Sequence, residues 1–493
     1  TLKKAWDNLL FNQFHDIAGG CCIKDAFTDA SYLFGETMAI TERIINTALQ
    51  QMAWHIDTLQ GQQLPGYKTH GHNKGHWVVW EHEVLGTPII VFNPHPFAVR
   101  ETVDVFAYAS KMTDTHGNEI PFQLIRGPHT NGEDKYHTAF TANVPPLGFA
   151  VYRLFVEQKS EKTFAPTLQV SNTVLENNKI RVELDSETGD IGFFYDKVHN
   201  KAIISTPCRA VLLNETACDT WAHGKRTLGD VCAQFTATDF SVLENGNVKG
   251  AVRVTSRCGD NLLERVYSII PDSDEIRVDT TVKLREKHRT LKFAFPFDGK
   301  TVIAKTAFGT VSRTGYNGED PCGSWFANSN LAVANVGKYG YDTENGEIRL
   351  SVLRSALYAD HFGVRDDRLE QMEQNVHTFT YSVFPFTDKA NAQRTAALLN
   401  NGVRRIMGSF HSGDLPETTS LFACDNDAVI ISAVKQHETA DTDVIRFYDL
   451  AGKETDVTVT VCGKTLTTHL DPYAVKTVDT DGNTLNAMEW LVT

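Results

Sequence analysis

Long hydrophobic runs are missing from this 493-residue sequence. No stretch approaches the ~18 consecutive apolar residues of a transmembrane helix, which argues against a membrane-spanning helix. The first ten residues, TLKKAWDNLL, lack the basic, apolar and small-residue regions of a signal peptide, so we expect no export signal. Basic residues are fewer than acidic residues: 47 Lys and Arg and 61 Asp and Glu give a formal charge of −14. Such a chain repels phosphate backbones, which argues against a nucleic-acid partner.

Paired cysteines are also missing. The nine cysteines form no C-x-x-C pair, whereas a disulfide framework or a zinc ribbon needs close, paired spacing. We therefore predict reduced thiols in a cytoplasmic protein. The cysteines lie at positions 21, 22, 208, 218, 232, 258, 322, 424 and 462.

The first 60 residues have the period of amphipathic helices. Apolar residues recur at helical spacing from Leu2 to Phe14, Gly19 and Gly20 then break the helix, and a second periodic run begins near Asp25. Two helices that face only each other leave much apolar surface exposed, and the rest of the sequence offers no comparable helix to cover it. We therefore predict a helix-bundle remnant whose surface binds a preceding domain, or a second copy in a homo-oligomer.

After residue 88 the hydrophobic period changes to two, so that apolar and polar residues alternate along the sequence. Many evenly spaced strand-like segments, joined by Gly, Asn and Asp turns, predict a mainly β fold of antiparallel sandwiches behind an N-terminal helical segment. At roughly 100–200 residues per domain, the length allows about three domains. The pattern divides the chain into a helical segment 1–60, a linker 61–88, a small β domain 89–165, a large β unit 166–412 and a C-terminal β-sandwich 413–493.

The densest polar cluster is the segment FNQFHD, which follows an apolar helix and precedes the two glycines. Adjacent His15 and Asp16 at a break between helix and loop can both face one point. Imidazole suits zinc, and a neighbouring carboxylate can ligate the metal or orient a ligand. The alternative is a polar helix cap in which His15 binds terminal carbonyls.

The sequence AWDNLLFNQFHDIAGG resembles the helix-to-loop motif of glycoside hydrolase family 38, the zinc-dependent retaining α-mannosidases, here of bacterial type. The resemblance implies that His15 is a zinc ligand, that Asp16 reaches the bound sugar, and that the large β unit is a galactose-mutarotase-like super-sandwich. Later segments resemble the family in the same order along the chain: PIIVFNPHPF, LENNKIRVELDSETGDIGFFYDKVHNK, DTWAHG, LAVANVGKYGYD and LSVLRSALYAD.

The same resemblance implies which part of the enzyme holds the catalytic residues. Retaining hydrolysis uses a carboxylate nucleophile and a carboxylic acid roughly 5–5.5 Å apart. In this family both lie, with the other zinc ligands, in an N-terminal α/β barrel. The chain thus resembles the C-terminal part without that barrel, holds no catalytic residue, and alone should not hydrolyse an α-mannoside or mannosylated glycan.

Two further functions stay open. The first is a non-catalytic carbohydrate-binding or scaffolding β protein, which fits the chain taken by itself. The second is an aldose-epimerase-like activity, although no spacing in the sequence selects the His and Glu pair that it needs.

The sequence departs from the family at Cys21 and Cys22, where many members have a proline and a small hydroxyl residue. These thiols are either soft zinc ligands or buried small side chains.

Weaker candidates for ligand contact lie elsewhere. Trp221 and His223 in DTWAHG suit the border of a sugar site, or a structural turn around a half-buried tryptophan. Arg313 and Tyr316 lie in a predicted long loop with Glu319, Asp320 and Trp325, where sugar contact and loop packing are the two interpretations. Two more groups fit solvated surface better than a metal or catalytic site: His70, His72 and His76 in the linker, and the charge run that includes Asp366 and Asp367.

Overall fold

The structure is a computed structural model that describes residues 2–62, 84–128, 132–215, 219–298, 300–315, 318–359, 368 and 370–492. Most of the predicted linker 61–88 lies outside the described residues, as do its three histidines, Tyr316, and the pair Asp366 and Asp367.

Helices occupy the start of the chain and one short segment near residue 390. The first three follow one another, and a 3₁₀ turn at Gly132–Lys135 interrupts the later strands. The helices in the described residues are α1 (Leu2–Phe11), α2 (His15–Ala18), α3 (Lys24–His55) and α4 (Lys389–Asn400).

Strands make up most of the remainder. Those before residue 160 are β1 (Thr87–Asn93), β2 (Val99–Val105), β3 (Lys111–Thr113), β4 (Phe122–Arg126), β5 (Tyr136–Val144) and β6 (Gly148–Phe155). The next are β7 (Gln169–Val170), β8 (Val174–Glu176), β9 (Ile180–Leu184), β10 (Ile191–Asp196), β11 (Lys201–Ile204), β12 (Arg209–Asn214), β13 (Val231–Gln234), β14 (Thr236–Asn245), β15 (Gly250–Cys258) and β16 (Asn261–Ile269). They are followed by β17 (Ile276–Lys283), β18 (Arg289–Pro296), β19 (Thr301–Thr306), β20 (Gly309–Thr314), β21 (Asp320–Pro321), β22 (Trp325–Ala327), β23 (Leu331–Asn335), β24 (Gly340–Glu344), β25 (Glu347–Ser355) and β26 (Val376–Pro385). The last are β27 (Arg404–Met407), β28 (Thr418–Ser420), β29 (Phe422–Cys424), β30 (Val429–Gln436), β31 (Asp443–Asp449), β32 (Thr455–Val461), β33 (Lys464–Leu470), β34 (Val475–Asp479) and β35 (Thr484–Leu485).

The strands form three groups of antiparallel sheets, each around its own apolar core. In the first group, a sheet with strand order β27-β1-β6-β28, to which β3 adds on β6, packs on the sheet β2-β5-β4. The large middle group has a nine-stranded sheet (β14-β15-β16-β17-β26-β23-β22-β19-β20), a six-stranded sheet (β13-β12-β18-β25-β24-β21) and a five-stranded sheet (β11-β10-β9-β8-β7), with one core between them. In the last group, β30-β31-β34-β35 packs on β29-β32-β33. The predicted mainly β fold with N-terminal helices is confirmed.

Strand β1 shows how sequence pattern becomes packing. Every residue of TPIIVFN is buried, because alternate side chains point to opposite faces of the sheet and both faces are covered. Ile89 and Val91 face the core of the first sandwich, whereas Ile90 and Phe92 face the end of helix α3 near Ala53. The helical segment is therefore anchored to the β part at the end of α3.

The N-terminal helices differ from the prediction in where they end. Helix α1 stops at Phe11 rather than Phe14, because the backbone N–H groups of Gln13 and Phe14 bond to carbonyls three residues back, at Leu10 (3.2 Å) and Phe11 (3.4 Å), so that the α-helical pattern is not continued. Gly20 then adopts a positive φ of 69°. Helix α3 runs for 32 residues without a break at Gly35, where the sequence suggests a bend.

Replacing Gly35 by alanine is expected to stabilise the chain. The position is exposed within a helix, and a Cβ there meets no atom within 4 Å. Because glycine in a helix interior is about 0.5–1 kcal/mol less stable than alanine, Gly35→Ala should raise the free energy of unfolding by about that amount in urea titrations. Gly20→Ala, at a positive φ, is the control and should destabilise; a loss of stability in Gly35→Ala would contradict the expectation.

Much apolar surface remains exposed on the helical segment, as the sequence predicts. The side chains exposed by more than half include Trp6, Phe11, Tyr32, Met38 and Trp54. In the described residues, α1 buries only Ala5 and Asn8, and α3 buries only Ala30, Ile40 and Ala53. No helix of the described chain is both long and apolar enough to cross a bilayer.

Candidate functional site

The His15–Asp16 turn projects from the helical segment. His15 is the first residue of α2, and its side chain is 77% exposed. Its Nε2 atom lies 3.5 Å from an Asp16 carboxylate oxygen, and its ring lies 4.4 Å from that of Phe14. Within the described part of the chain, the imidazole donates to no helix carbonyl, so the arrangement does not match a helix cap. Two zinc-type donors lie side by side.

The adjacent cysteines are held as thiols beside this turn. Cys22 is buried, and burial raises its thiol pKa. Burial, followed by the hydrogen bond that its Sγ donates to Asp16 (3.6 Å), raises the pKa of Cys21. Both thiols therefore favour the protonated form in the metal-free chain, and zinc would have to displace those protons in order to bind them.

His15 and Asp16 fit zinc chemically but do not complete a site. Imidazole nitrogen and carboxylate oxygen are both usual zinc ligands, and zinc takes about four ligands in a tetrahedral arrangement. Among the described residues, no group of three or more His, Cys, Asp and Glu side chains is arranged to hold a metal. A zinc site that used this turn would therefore need further donors from outside the described residues.

The N-terminal end of α3, shortly after this turn, lies against the large middle group of sheets. Lys24 pairs with Glu370, and the rings of Phe27 and Tyr358 are 6.4 Å apart, edge to face. Leu357, beside Tyr358, forms a bridge with Asp219, the first residue of DTWAHG. A chain of contacts thus runs from the start of α3 to the loop that the sequence associates with a sugar site.

The DTWAHG loop is a tight turn with an aromatic tip. The Asp219 carboxylate accepts a hydrogen bond from the Trp221 backbone N–H (3.0 Å), and Ala222 has a positive φ of 48°. The rings of Trp221 and His223 meet edge to face, 5.2 Å apart, and Trp221 is 38% exposed. The tryptophan is half-buried, as the sequence suggests for a turn, and it keeps ring surface available for a ligand.

Arg354 on β25 fixes this loop, a role that the sequence gives no reason to expect. Its guanidinium donates to the carbonyls of Thr220 (2.7 Å) and Asp219 (2.6 Å) and pairs with the buried Glu215. Burial raises the pKa of Glu215, although Arg354 and Thr290 both oppose that rise.

Arg354→Met is expected to release the loop and to destabilise the fold by about 3–5 kcal/mol, because it leaves Glu215 buried without its cation. Trp221 fluorescence should move toward that of a solvated indole, and the urea midpoint should fall. Arg257→Met, at an exposed arginine on β15, is the matched control. An unchanged emission spectrum in Arg354→Met would show that the arginine does not hold the loop.

The predicted long loop around Arg313 begins and ends in strands, β20 and β22, and includes the short strand β21. Arg313 lies on β20 and faces Asp320, with its Nε 3.5 Å from the carboxylate, and its Nη1 donates to the carbonyl of Pro321 (3.3 Å). Trp325 is fully buried on β22, so its assignment to a loop was wrong and it is unavailable to a sugar. Glu319 donates its backbone N–H to the carbonyl of Arg226 (2.8 Å), which joins this segment to the loop that follows Trp221.

A buried charge cluster beneath Glu319 was not found from the sequence. Lys292 is fully buried on the face of β18 opposite the core, where it contacts Glu319, Ser351 (3.0 Å) and Asp342 (2.9 Å). Although burial opposes it, hydrogen bonds from Arg349 and Lys292 hold the pKa of Asp342 below its usual value. The sequence does contain one signal for this cluster: a single lysine within the otherwise apolar strand LKFAFPF indicates that buried acidic partners surround it.

Three family models match the chain. The alpha mannosidase middle domain matches residues 1–52, the glycosyl hydrolases family 38 C-terminal domain matches 175–362, and the family 38 C-terminal beta sandwich domain matches 428–491. Together they span more than half of the sequence, in the order expected for one protein. The chain belongs to glycoside hydrolase family 38.

Relatives and solved structures agree with this membership. Alpha-mannosidase G of Dictyostelium discoideum is 21% identical over 497 residues, covering 92% of this chain and 43% of the relative. Alpha-mannosidase 2C1 of Mus musculus is 23% identical over 489 residues, covering 92% and 41%. A family 38 protein of Enterococcus faecalis has the same fold, with a TM-score of 0.77 at 15% identity, covering 96% of this chain and 65% of that one. The chain spans less than half the length of the curated relatives that it matches.

Proposed function

We propose that this family 38 chain is the helical and C-terminal β part of a zinc-dependent retaining α-mannosidase that hydrolyses terminal α-mannosyl linkages. The observation that carries the proposal is the His15–Asp16 turn, whose imidazole is 77% exposed and makes no capping bond within the described residues. An exposed imidazole beside a partly exposed carboxylate is what a site completed by another domain requires.

In this proposal, the residues of the chain bind the metal and orient the sugar. His15 Nε2 holds the metal, and the Asp16 carboxylate accepts a hydrogen bond from a sugar hydroxyl. Bound zinc would hold adjacent sugar hydroxyls and favour a ring shape close to an oxocarbenium ion. The nucleophile and the acid are proposed to lie in an N-terminal α/β barrel, so the chain contributes no catalytic carboxylate.

The remaining sugar contacts are proposed for the border of the site. The exposed part of the Trp221 ring suits the C–H face of a mannose unit, and His223 beside it suits a hydroxyl. Arg313 and Tyr316 are proposed to contact the part of a mannosylated glycan from which the terminal mannose is cleaved. Arg313 already pairs with Asp320, so its contact would be to a neutral hydroxyl rather than to an anion.

The partner proposed for the exposed helical surface is that barrel domain. The two curated relatives are more than twice as long as the matched segment, and the large apolar residues of α1 and α3 need a cover. Trp6→Glu should weaken binding of a separately produced barrel domain, whereas Trp490→Glu, at an equally exposed tryptophan near the C-terminus, should not. Self-association of the chain that is unaffected by the barrel would favour a homo-oligomer instead.

Reconstitution tests the proposed activity. The purified chain, mixed with the N-terminal part of a family 38 α-mannosidase, is expected to release p-nitrophenol from p-nitrophenyl α-mannoside only when zinc is present. Proton NMR should show α-mannose as the first sugar product, because retention preserves the anomeric configuration. Hydrolysis by the chain alone would mean that both catalytic carboxylates lie within it, and β-mannose as first product would exclude retention.

The second candidate is a non-catalytic carbohydrate-binding or scaffolding protein. The absence of a three-residue metal cluster from the described residues favours it for the isolated chain. A stable complex with the barrel that remains inactive with zinc would support this alternative.

We also propose a cytoplasmic location. Eight cysteines lie in the described residues, and all eight are free thiols. A fluorescent fusion that co-localises with a secreted marker would contradict this location.

A further inference from the structure

A polar cleft lies between the first sandwich and the outer face of the nine-stranded sheet, apart from the segments discussed above. Its volume is about 260 Å³. Strand β2 forms one wall with Glu101 and Thr102, and strands β16 and β17 form the other with Ser268 and Arg277. Aliphatic side chains of Ile125, Ile270 and Leu399 complete the lining.

One row of the sheet places polar groups into this cleft. Ser268 and Arg277 are direct cross-strand partners on β16 and β17, so their side chains share a face. Arg277 Nη2 donates to Glu275 and to Glu101, at 3.0 Å in each case. The arginine therefore joins the two walls, while the second oxygen of Glu275 has no partner in hydrogen-bond geometry, although the nearby Ser382 hydroxyl opposes the rise that burial causes in the pKa of Glu275.

Four buried polar atoms at this lining have no hydrogen-bond partner among the described residues. They are Thr102 Oγ1, Ser268 Oγ, Glu275 Oε2 and Arg277 Nε. Ser268 is only 7% exposed, and the Glu275 side chain is 13% exposed. Because a buried polar group without a partner destabilises a fold, a cluster of four indicates an occupant that supplies hydrogen bonds.

The charges of the lining restrict what that occupant can be. Glu101, Asp104, Glu275 and Asp279 outnumber Lys249 and Arg277, which disfavours an anion. The guanidinium between Glu101 and Glu275 disfavours a metal ion, and the described residues hold no three-ligand metal cluster. The unpaired oxygen of Glu275 needs a hydrogen-bond donor, and Arg277 Nε needs an acceptor. The hydroxyls of Thr102 and Ser268 can bond to either a donor or an acceptor. Neighbouring hydroxyl groups of a polyol provide both roles.

The size of the cleft sets the size of the ligand. Pockets for drug-sized molecules measure about 300–1,000 Å³, so 260 Å³ admits a small molecule and excludes an oligosaccharide chain. A single buried water needs only roughly 10–15 Å³ of such space, so one water does not fill it.

We propose that this cleft is a second binding site, for a neutral polyhydroxylated ligand of monosaccharide size. The ligand bridges the Glu101–Thr102 wall and the Ser268–Arg277 wall and so holds the first sandwich against the large group of sheets. The site is independent of the zinc proposal, because none of its residues lies in the His15–Asp16 turn or the DTWAHG loop.

Isothermal titration of the chain with D-mannose, myo-inositol and glycerol tests this site. At least one of these probes is expected to bind with one-to-one stoichiometry. Ser268→Val should raise its Kd by roughly tenfold or more, since it removes a hydroxyl and narrows the cleft. Ser432→Val, the same substitution at an exposed serine on β30, should leave the Kd unchanged.

A second variant keeps the test meaningful if Ser268→Val does not fold. Glu275→Gln preserves shape and replaces the free carboxylate oxygen, and it should also weaken the probe. His15→Ala should bind the probe as the original chain does, which separates this cleft from the proposed zinc site. Binding by none of the three probes, or binding that both Ser268→Val and Glu275→Gln leave unchanged, would overturn the proposal and leave a cleft filled by water alone.

Discussion

Replacing His15 by alanine is expected to abolish most mannoside hydrolysis by the reconstituted enzyme. His15 is the exposed imidazole of the turn, and its loss would remove the metal donor that we propose it supplies. Loss of a group that only orients a ligand costs about 10–100-fold in metal affinity or activity, so loss of the ligand itself should cost at least about 100-fold in kcat/KM.

The control for His15→Ala is His116→Ala, at an exposed histidine in the turn between β3 and β4. That variant should retain the original kcat/KM. Added zinc should restore part of the activity of His15→Ala, since weaker metal binding responds to metal concentration. If His15→Ala and the unaltered chain have equal kcat/KM at limiting zinc, His15 is not a zinc ligand.

A stability effect as large as that of Arg354→Met is expected from Asp190→Ala. Asp190 and Arg265 form an ion pair inside the large middle group of sheets, with side chains 4% and 1% exposed. Burial raises the pKa of Asp190 even with Arg265 beside it. Removing the carboxylate leaves a buried guanidinium whose remaining partners are neutral, among them Thr188 (3.3 Å), Ser256 (3.4 Å) and the ring of Tyr267 (5.6 Å). The free energy of unfolding, measured in urea, should fall by about 3–5 kcal/mol.

A double variant separates the charge from the packing. Asp190→Leu with Arg265→Met leaves no buried charge and fills a similar volume, so it should lose much less stability than Asp190→Ala. A loss in the double variant as large as in Asp190→Ala would mean that the hydrogen bonds of the pair, and not the unpaired charge, determine stability.

The helices and strands were largely predictable because local pattern decides them. The apolar period indicates α1 and α3 to within a few residues, and the run at 389–400 matches α4. Alternating or continuous apolar segments indicate β1, β6, β17 and many others. The end of α1 was misplaced because the apolar period continues to Phe14, whereas the backbone hydrogen bonds of Gln13 and Phe14 already reach back only three residues.

Strands with mixed polarity were harder to predict. Strands β14 and β20 have mostly exposed or half-exposed residues and lie at the two edges of the nine-stranded sheet, so neither has a clear apolar face. The position of Arg313 was therefore assigned to a loop. Trp325 was misassigned for a different reason: helix α4 packs over its strand, and that contact comes from a distant part of the sequence.

The candidate site was predictable only where its residues are contiguous. His15 and Asp16 stand together in one motif, and Trp221 and His223 in another, so the sequence finds both groups. The contacts that connect them arise from chain segments far apart, such as Lys24 with Glu370 and Asp219 with Leu357. Arg354 and the partners of Arg277 were missed for the same reason, since no local pattern marks a long-range hydrogen bond.

Anomalous diffraction at the zinc edge from crystals of the chain bound to its barrel domain tests the central proposal most directly. The account predicts one zinc ion about 2.0–2.1 Å from His15 Nε2, with the remaining ligands from the barrel and Asp16 within reach of the bound sugar. A zinc ion coordinated elsewhere, or a His15 side chain turned away to bond a helix carbonyl, would contradict it.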